Sequence, residues 1–226
     1  MKNNIKRGGF YFRDKVPYLS VTKPLEILDK PALRIWYAKQ VWQAMVANPT
    51  LNEQEAMAAP FKKGQEATAR GATIHSLVEM YKVSGKRITN APAPLQPFIK
   101  AFYDWIDDQF IEILESEKTI FSEEYKYAGT IDLLVRNKQS DRVFLVDVKT
   151  SKDGKIYDEA ALQVSAYAYA LKENKINWDQ IAALGLSEKG NYTFQELPLV
   201  FEQWLACKSI WLFKNRDLVK AVNYGN

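Results

Sequence analysis

The sequence predicts an α/β protein: a mixed central sheet flanked by helices, preceded by an N-terminal helical elaboration. Three observations predict it. Two apolar runs rich in Ile, Leu, Val and Phe, at 129–136 and 142–150, are separated by the polar turn Arg136 to Arg142 and read as a hairpin. Apolar residues at helical spacing recur on both sides of that hairpin. A chain of 226 residues, 47% apolar and 26% charged, has the make-up of an ordinary folded protein with a sizeable core.

Residues 1–23 look irregular, with Gly8-Gly9 and scattered aromatics. Ser20-Val21-Thr22 precedes Pro24, a residue suited to the first turn of a helix. From Pro31 to Ala47, Leu33, Trp36, Tyr37, Val41, Ala44 and Met45 follow helical spacing. Residues 48–63 read as a loop or short helix. A helix is expected over about 65–83, with a stripe of Ile74, Leu77, Val78 and Tyr81. Ala91-Pro92-Ala93-Pro94 is a stiff linker, and a further helix is expected over about 95–115.

Strands are expected at 119–127, 129–136 and 142–150, then a helix over 157–173, strands at 180–187 and 191–197, and a helix over 198–213. Hairpins make antiparallel pairs, and a crossover through helix 157–173 brings in a parallel strand. The whole of 1–226 reads as one domain. Residues 1–116 form the mainly helical part, which carries His75, and 117–226 form the sheet with its flanking helices.

Charge and cysteine content narrow the function classes. The formal charge of +4 is a mild basic excess that agrees with a nucleic-acid partner without requiring one. The one cysteine, Cys207, excludes an internal disulfide and any cysteine cluster for zinc or iron–sulfur, as expected in a reducing compartment. No apolar run is long enough to span a membrane, and the basic, polar N-terminus lacks a signal core. A cytoplasmic protein with no membrane partner is therefore expected.

The chemistry centres on the hairpin. A turn centred between Gln139 and Ser140 leaves Asp132 and Asp147 equidistant from the centre, so they stand opposite each other on one face. Opposed carboxylates weaken a sheet unless a cation lies between them. Lys149, two residues beyond Asp147, points to the same face. Two acids and a lysine so placed suit a divalent-metal site.

The one histidine, His75, lies beside an apolar helical stripe, with Glu79 one turn further on. It reads either as a core-edge histidine or as a metal ligand delivered to the hairpin. In the second reading Glu79 orients it or binds through water. Gln163 and Tyr167 share a helix face, and Ala160, Ala166 and Ala170 keep that helix slim enough to approach the sheet.

Gly71-x-x-x-His75, Gly129-x-x-Asp132, Asp147-Val148-Lys149 and Gln163-x-x-x-Tyr167, in this order and in these helix and strand contexts, resemble the PD-(D/E)XK nuclease superfamily and its RecB-like exonuclease branch. Ser20-Val21-Thr22 also fits that branch. The resemblance implies a restriction-endonuclease-like fold and a Mg²⁺- or Mn²⁺-dependent DNA exonuclease acting in replication, recombination or repair, with a recombination or replication protein as a further partner.

By the same resemblance, His75, Asp132, Asp147 and the Val148 main-chain carbonyl hold metal, and Lys149 is catalytic. Gln163, Tyr167, Ser20, Thr22, Thr150 and Lys152 lie against DNA. One branch of the superfamily carries an iron–sulfur cluster on four cysteines. With Cys207 alone, no such cluster is expected here. A structure-dependent endonuclease and a DNA-binding protein that no longer cuts are the alternatives.

Overall fold

Two tight hairpins occupy the N-terminal stretch that reads as irregular in sequence. The computed structural model describes residues 5–225, with side chains from residue 8 onward. Strands β1 (Ile5–Arg7), β2 (Phe10–Arg13) and β3 (Val16–Ser20) are joined by the two-residue loops Gly8-Gly9 and Asp14-Lys15. All four loop residues have positive φ, at 56°, 92°, 50° and 68°. Such turns match the right-handed twist of the strands they join. Gly-Gly is a ready signal for one of them. Asp-Lys is a weak signal, because neither residue adopts that backbone freely.

After a short 3₁₀ turn at Pro24–Ile27 come α1 (Pro31–Ala47) and α2 (Glu53–Ser84). The second helix begins twelve residues earlier than its sequence stripe suggests. Asn52 caps it by accepting the Glu55 N–H, while the Glu55 side chain accepts the Asn52 N–H. That cap starts the helix early enough to take in Pro60, which removes one ladder bond without ending it.

Helix α3 (Gln96–Asp108) stops seven residues short of the expected end. Phe110 has φ 51°, a backbone no helix interior adopts, and the chain leaves it as strand β4 (Ile111–Ser122). Then follow β5 (Tyr127–Asn137), β6 (Val143–Ser151), α4 (Glu159–Glu173), β7 (Gln180–Ser187), β8 (Tyr192–Glu196), α5 (Phe201–Lys214) and α6 (Arg216–Ala221).

The strands form one mixed sheet. β6 and β7 are parallel across the α4 crossover, as the sequence implies, and β7 pairs antiparallel with β8. Strand β5 organises the site. β4 pairs along its whole length, while its other edge is shared. β3 runs parallel to the start of β5 at 127–128, and β6 pairs antiparallel at 133–136. Residues 129–132 therefore lie where β3 and β6 diverge, and Asp132 sits in that opening.

Both faces of the sheet are covered. On one, Val164 and Leu171 of α4 and Trp204 and Trp211 of α5 pack on Tyr127, Ile131, Leu145 and Ile181. On the other, Ile74 and Val78 of α2 and Phe98, Phe102 and Trp105 of α3 pack on Leu133, Val135, Val146 and Leu184. The aromatics of α3 are thus core. Those of α1 are not: Trp42 is exposed and Trp36 and Tyr37 are half-buried. Among the described residues no helix is long and apolar enough to cross a membrane.

Candidate active site

The β5–β6 hairpin has the register that places Asp132 opposite Asp147, but its ladder stops one pair short, at Leu133–Val146. At the next position a side chain takes over. Asp132 Oδ2 accepts the Val148 N–H at 2.7 Å, so the carboxylate substitutes for a main-chain partner where the strands part. Helices from both faces of the sheet converge on this opening. α2 delivers His75, and α4 delivers Gln163 and Tyr167.

The alanines of α4 are what permit its close approach: Ala160, Ala166 and Ala170 are all buried. Gly129 completes the fit from the sheet side. A methyl group there would lie 2.4 Å from the Tyr167 ring. Tyr167 is buried beneath the carboxylates and receives a long hydrogen bond from Gln163 Nε2, at 3.3 Å.

Asp147 is almost wholly buried, with 1% exposed. Its Oδ1 accepts hydrogen bonds from Gln163 Nε2 at 2.8 Å and from Lys149 Nζ at 3.1 Å. Lys149 also donates to Gln163 Oε1 at 3.1 Å, which closes a triangle of acid, ammonium and amide. Asp147 Oδ2 lies 2.9 Å from the ammonium, yet this buried oxygen accepts no hydrogen bond.

The other half of the site surrounds His75. Its Nδ1 donates to Glu117 Oε1 at 3.0 Å and lies 3.5 Å from Asp132 Oδ1. The carboxylate beside His75 is therefore Glu117 and not Glu79. Glu79 is exposed on the wall of the same cleft. Glu117 is the residue that sequence reasoning missed. It sits on β4 across from Asp132, with φ 47°, between the helix expected over about 95–115 and the strand expected from 119. The signal was present: Ile111 and Ile113 alternate with Glu112, a strand pattern.

Electrostatics follow from this crowding. Burial, and then the charge of Asp147, push the Asp132 carboxyl up to about 7, against the pull of His75, Lys149 and the Val148 N–H. Burial works against a charged His75, but the Glu117 hydrogen bond and the Asp132, Glu117 and Asp147 charges outweigh it and raise the imidazole to about 9. Burial likewise opposes the Lys149 charge, yet Asp147 and Asp132 hold the ammonium above its ordinary range. Burial and both aspartates push the Tyr167 hydroxyl well above 10, so it remains a neutral donor.

A cleft of about 800 Å³ opens along α2 and is lined by His75, Glu79, Glu117, Val148, Lys149 and Thr150, among others. Thr150 thus faces the cleft. Ser20, the last residue of β3, is buried and its hydroxyl bonds that of exposed Thr22 at 3.2 Å, and Lys152 is exposed beyond β6. Among the described residues no hydrogen bond ties these three to the carboxylates.

His75, Glu117 and Asp132 each offer one ligand atom, all within 4.8 Å of one another. Imidazole nitrogen and carboxylate oxygen suit Mn²⁺-like ions. The donor set therefore fits a divalent cation.

Residues 101–198 match the sequence profile of the PD-(D/E)XK nuclease superfamily. The superfamily match runs from α3 through β8 and takes in Asp132, Asp147, Lys149, Gln163 and Tyr167, as well as Glu117. It leaves out His75 and the Ser20–Thr22 segment.

Solved structures also align. The crystal structure of SSO0001 aligns at 12% identity and TM-score 0.44, over 93% of this chain and 78% of that one. An alkaline exonuclease, LHK-Exo from Laribacter hongkongensis, aligns at 11% and 0.44, over 91% of each chain. Its complex with dAMP aligns at 14% and 0.36, over 90% of this chain and 94% of that one. Comparison with curated proteins finds no significant match.

Proposed function

We propose that the protein is a divalent-metal-dependent DNA exonuclease that hydrolyses phosphodiester bonds from the ends of single strands. The observation that supports this most is the meeting of two clusters, His75–Glu117–Asp132 and Asp147–Lys149–Gln163, at the point where β5 and β6 part. Three acids, one imidazole and one ammonium at the end of an open cleft suit an anionic phosphodiester only if further positive charge is supplied. In this reading His75, Asp132, Asp147 and the Val148 carbonyl hold the cation. Bound there, it supplies charge for the phosphate oxygens and lowers the pKa of a water.

The chain's own groups do the remaining work. Lys149 keeps its proton between Asp147 and Gln163, so its ammonium can orient the attacking water or meet charge that develops on the phosphate. Gln163 fixes the ammonium by donating to Asp147 and accepting from Lys149. Thr150 offers the cleft a neutral hydroxyl, which contacts nucleic acid without selecting sequence, while buried Tyr167 supports Gln163 from beneath. Ser20, Thr22 and Lys152 would act further out, along the phosphate backbone.

The end requirement rests on the shape of the N-terminal part. The cleft continues past Thr68 and Ala72 into a groove lined by Tyr37 and Phe61, aromatic surfaces suited to bases rather than to duplex. End-labelled linear and covalently closed circular single-stranded DNA, incubated with Mn²⁺ or Mg²⁺ and with EDTA as control, test the proposal. Linear strands should be degraded fastest, blunt duplex slowly and circles least. Asp147→Ala and Lys149→Ala should remove nearly all cleavage while DNA binding survives. Rapid cutting of circles would establish an endonuclease. Binding without cleavage in the wild-type protein would establish a DNA-binding protein on a nuclease fold.

A further inference from the structure

We infer that Glu117 is a direct cation ligand, on a position shared with His75 and Asp132. This rests on the metal-dependent reading above and adds a donor, from strand β4, that the motif residues do not contain.

The distances favour coordination over a mere ion pair. In an octahedral shell with bonds of about 2.1 Å, neighbouring donor atoms lie about 3 Å apart. His75 Nδ1 is 3.0 Å from Glu117 Oε1 and 3.5 Å from Asp132 Oδ1, close to the spacing of neighbouring donors in such a shell, and all three residues offer ligand atoms within 4.8 Å of one another. A cation entering there replaces the Nδ1 proton and leaves the side chains nearly in place.

Asp147 lies on the far side of Asp132 from His75. Its Oδ1 is taken by Gln163 and Lys149, and its Oδ2 lies against the Lys149 ammonium. Asp132 links the two halves. Its Oδ1 faces His75, while its Oδ2 is anchored to the Val148 N–H next to Asp147. Access differs as well: His75 and Glu117 line the open cleft, whereas Asp147 is buried behind it. A cation reaching the site from solvent meets Glu117 and His75 first.

The chain has one histidine, so the ring nitrogens of His75 give unambiguous NMR signals. Titration with Cd²⁺, a diamagnetic ion that accepts imidazole and carboxylate, should shift the His75 Nδ1 resonance. Glu117→Gln keeps an acceptor for His75 but loses the charge, and should raise the Cd²⁺ concentration needed by at least about tenfold. Glu117→Asn tolerates the left-handed backbone at this position and guards against misfolding of the first variant. It should behave likewise. Glu79→Gln, which removes an exposed carboxylate from the wall of the same cleft, should leave the Nδ1 titration unchanged.

Wild-type-like titration by both Glu117 variants, or an equal weakening in Glu79→Gln, would overturn the assignment. Calorimetric Cd²⁺ binding with no Nδ1 shift in the wild-type protein would also overturn it and leave the metal-dependent reading standing. No binding of Cd²⁺ or Mn²⁺ at all would sink both.

Discussion

At Asp132 one carboxylate serves two neighbours. Oδ2 holds the Val148 N–H, and Oδ1 faces His75. Its opposition to Asp147 was legible in the sequence, because hairpin register follows from counting outward from a turn. Glu117 was not, because its strand was hidden behind a helix stripe that ran on past Asp108. The crowding makes a pH prediction. Asp132 is raised from 3.8 to about 7, so the folded protein keeps a proton that the unfolded chain gives up. That stabilisation is complete below pH 3.8 and is lost as pH rises towards about 7. His75, raised from 6.5 to about 9, contributes stability that is complete below pH 6.5 and lost as pH rises through about 9. The metal-free protein should therefore melt at progressively lower temperature between pH 5 and 9, relative to Asp132→Asn measured in the same buffers. Cation affinity should run the other way and strengthen with pH, since the ligands must shed those protons. A parallel pH profile for the two proteins would contradict the shifts.

Strands and helices were legible where one period dominates. The β5–β6 hairpin and the α4 crossover stand where apolar spacing puts them. The misread boundaries have local causes: a capping box at Asn52, a left-handed residue at Phe110, and a turn of Asp14-Lys15. At this scale the contact between α4 and β5 is the sharpest test. Gly129 is there because the Tyr167 ring leaves no room for a methyl group. Gly129→Ala must push that buried ring aside, at a cost of about 1–3 kcal/mol for overpacking. The shift passes to Gln163, and through it to Lys149 and Asp147. Gly129→Ala should lower the denaturant midpoint and also slow cleavage in the fraction that stays folded. Tyr167→Ala in the same background should restore part of the stability by making room for the methyl. Midpoints that do not recover would place the damage in the backbone at residue 129 instead.

Across the whole molecule α2 divides into two parts. Its 32 residues span roughly 48 Å at 1.5 Å per residue. Near its C-terminal end, Ile74 and Val78 are buried in the core and His75 reaches the carboxylates. The N-terminal half packs against α1, whose one buried residue is Gln40. Segments with few buried contacts open locally at low free energy, whereas core elements open only with the whole fold. Amide exchange should therefore be fast in α1 and in residues 53–70, slow around Ile74 to Val78, and slowest in β5 and β6. A divalent cation ties His75 to Asp132, so Mn²⁺ should slow exchange around residues 72–79 and leave α1 unchanged. A short single-stranded oligonucleotide, added with Ca²⁺ if that ion proves not to support cleavage, should protect α1 and the α2 residues near Phe61. That pattern assigns the metal to one half of α2 and the strand to the other. Equal protection of both halves by Mn²⁺ alone would mean that α2 responds as a single rigid lever, and the groove at Tyr37 and Phe61 would lose its place in strand binding.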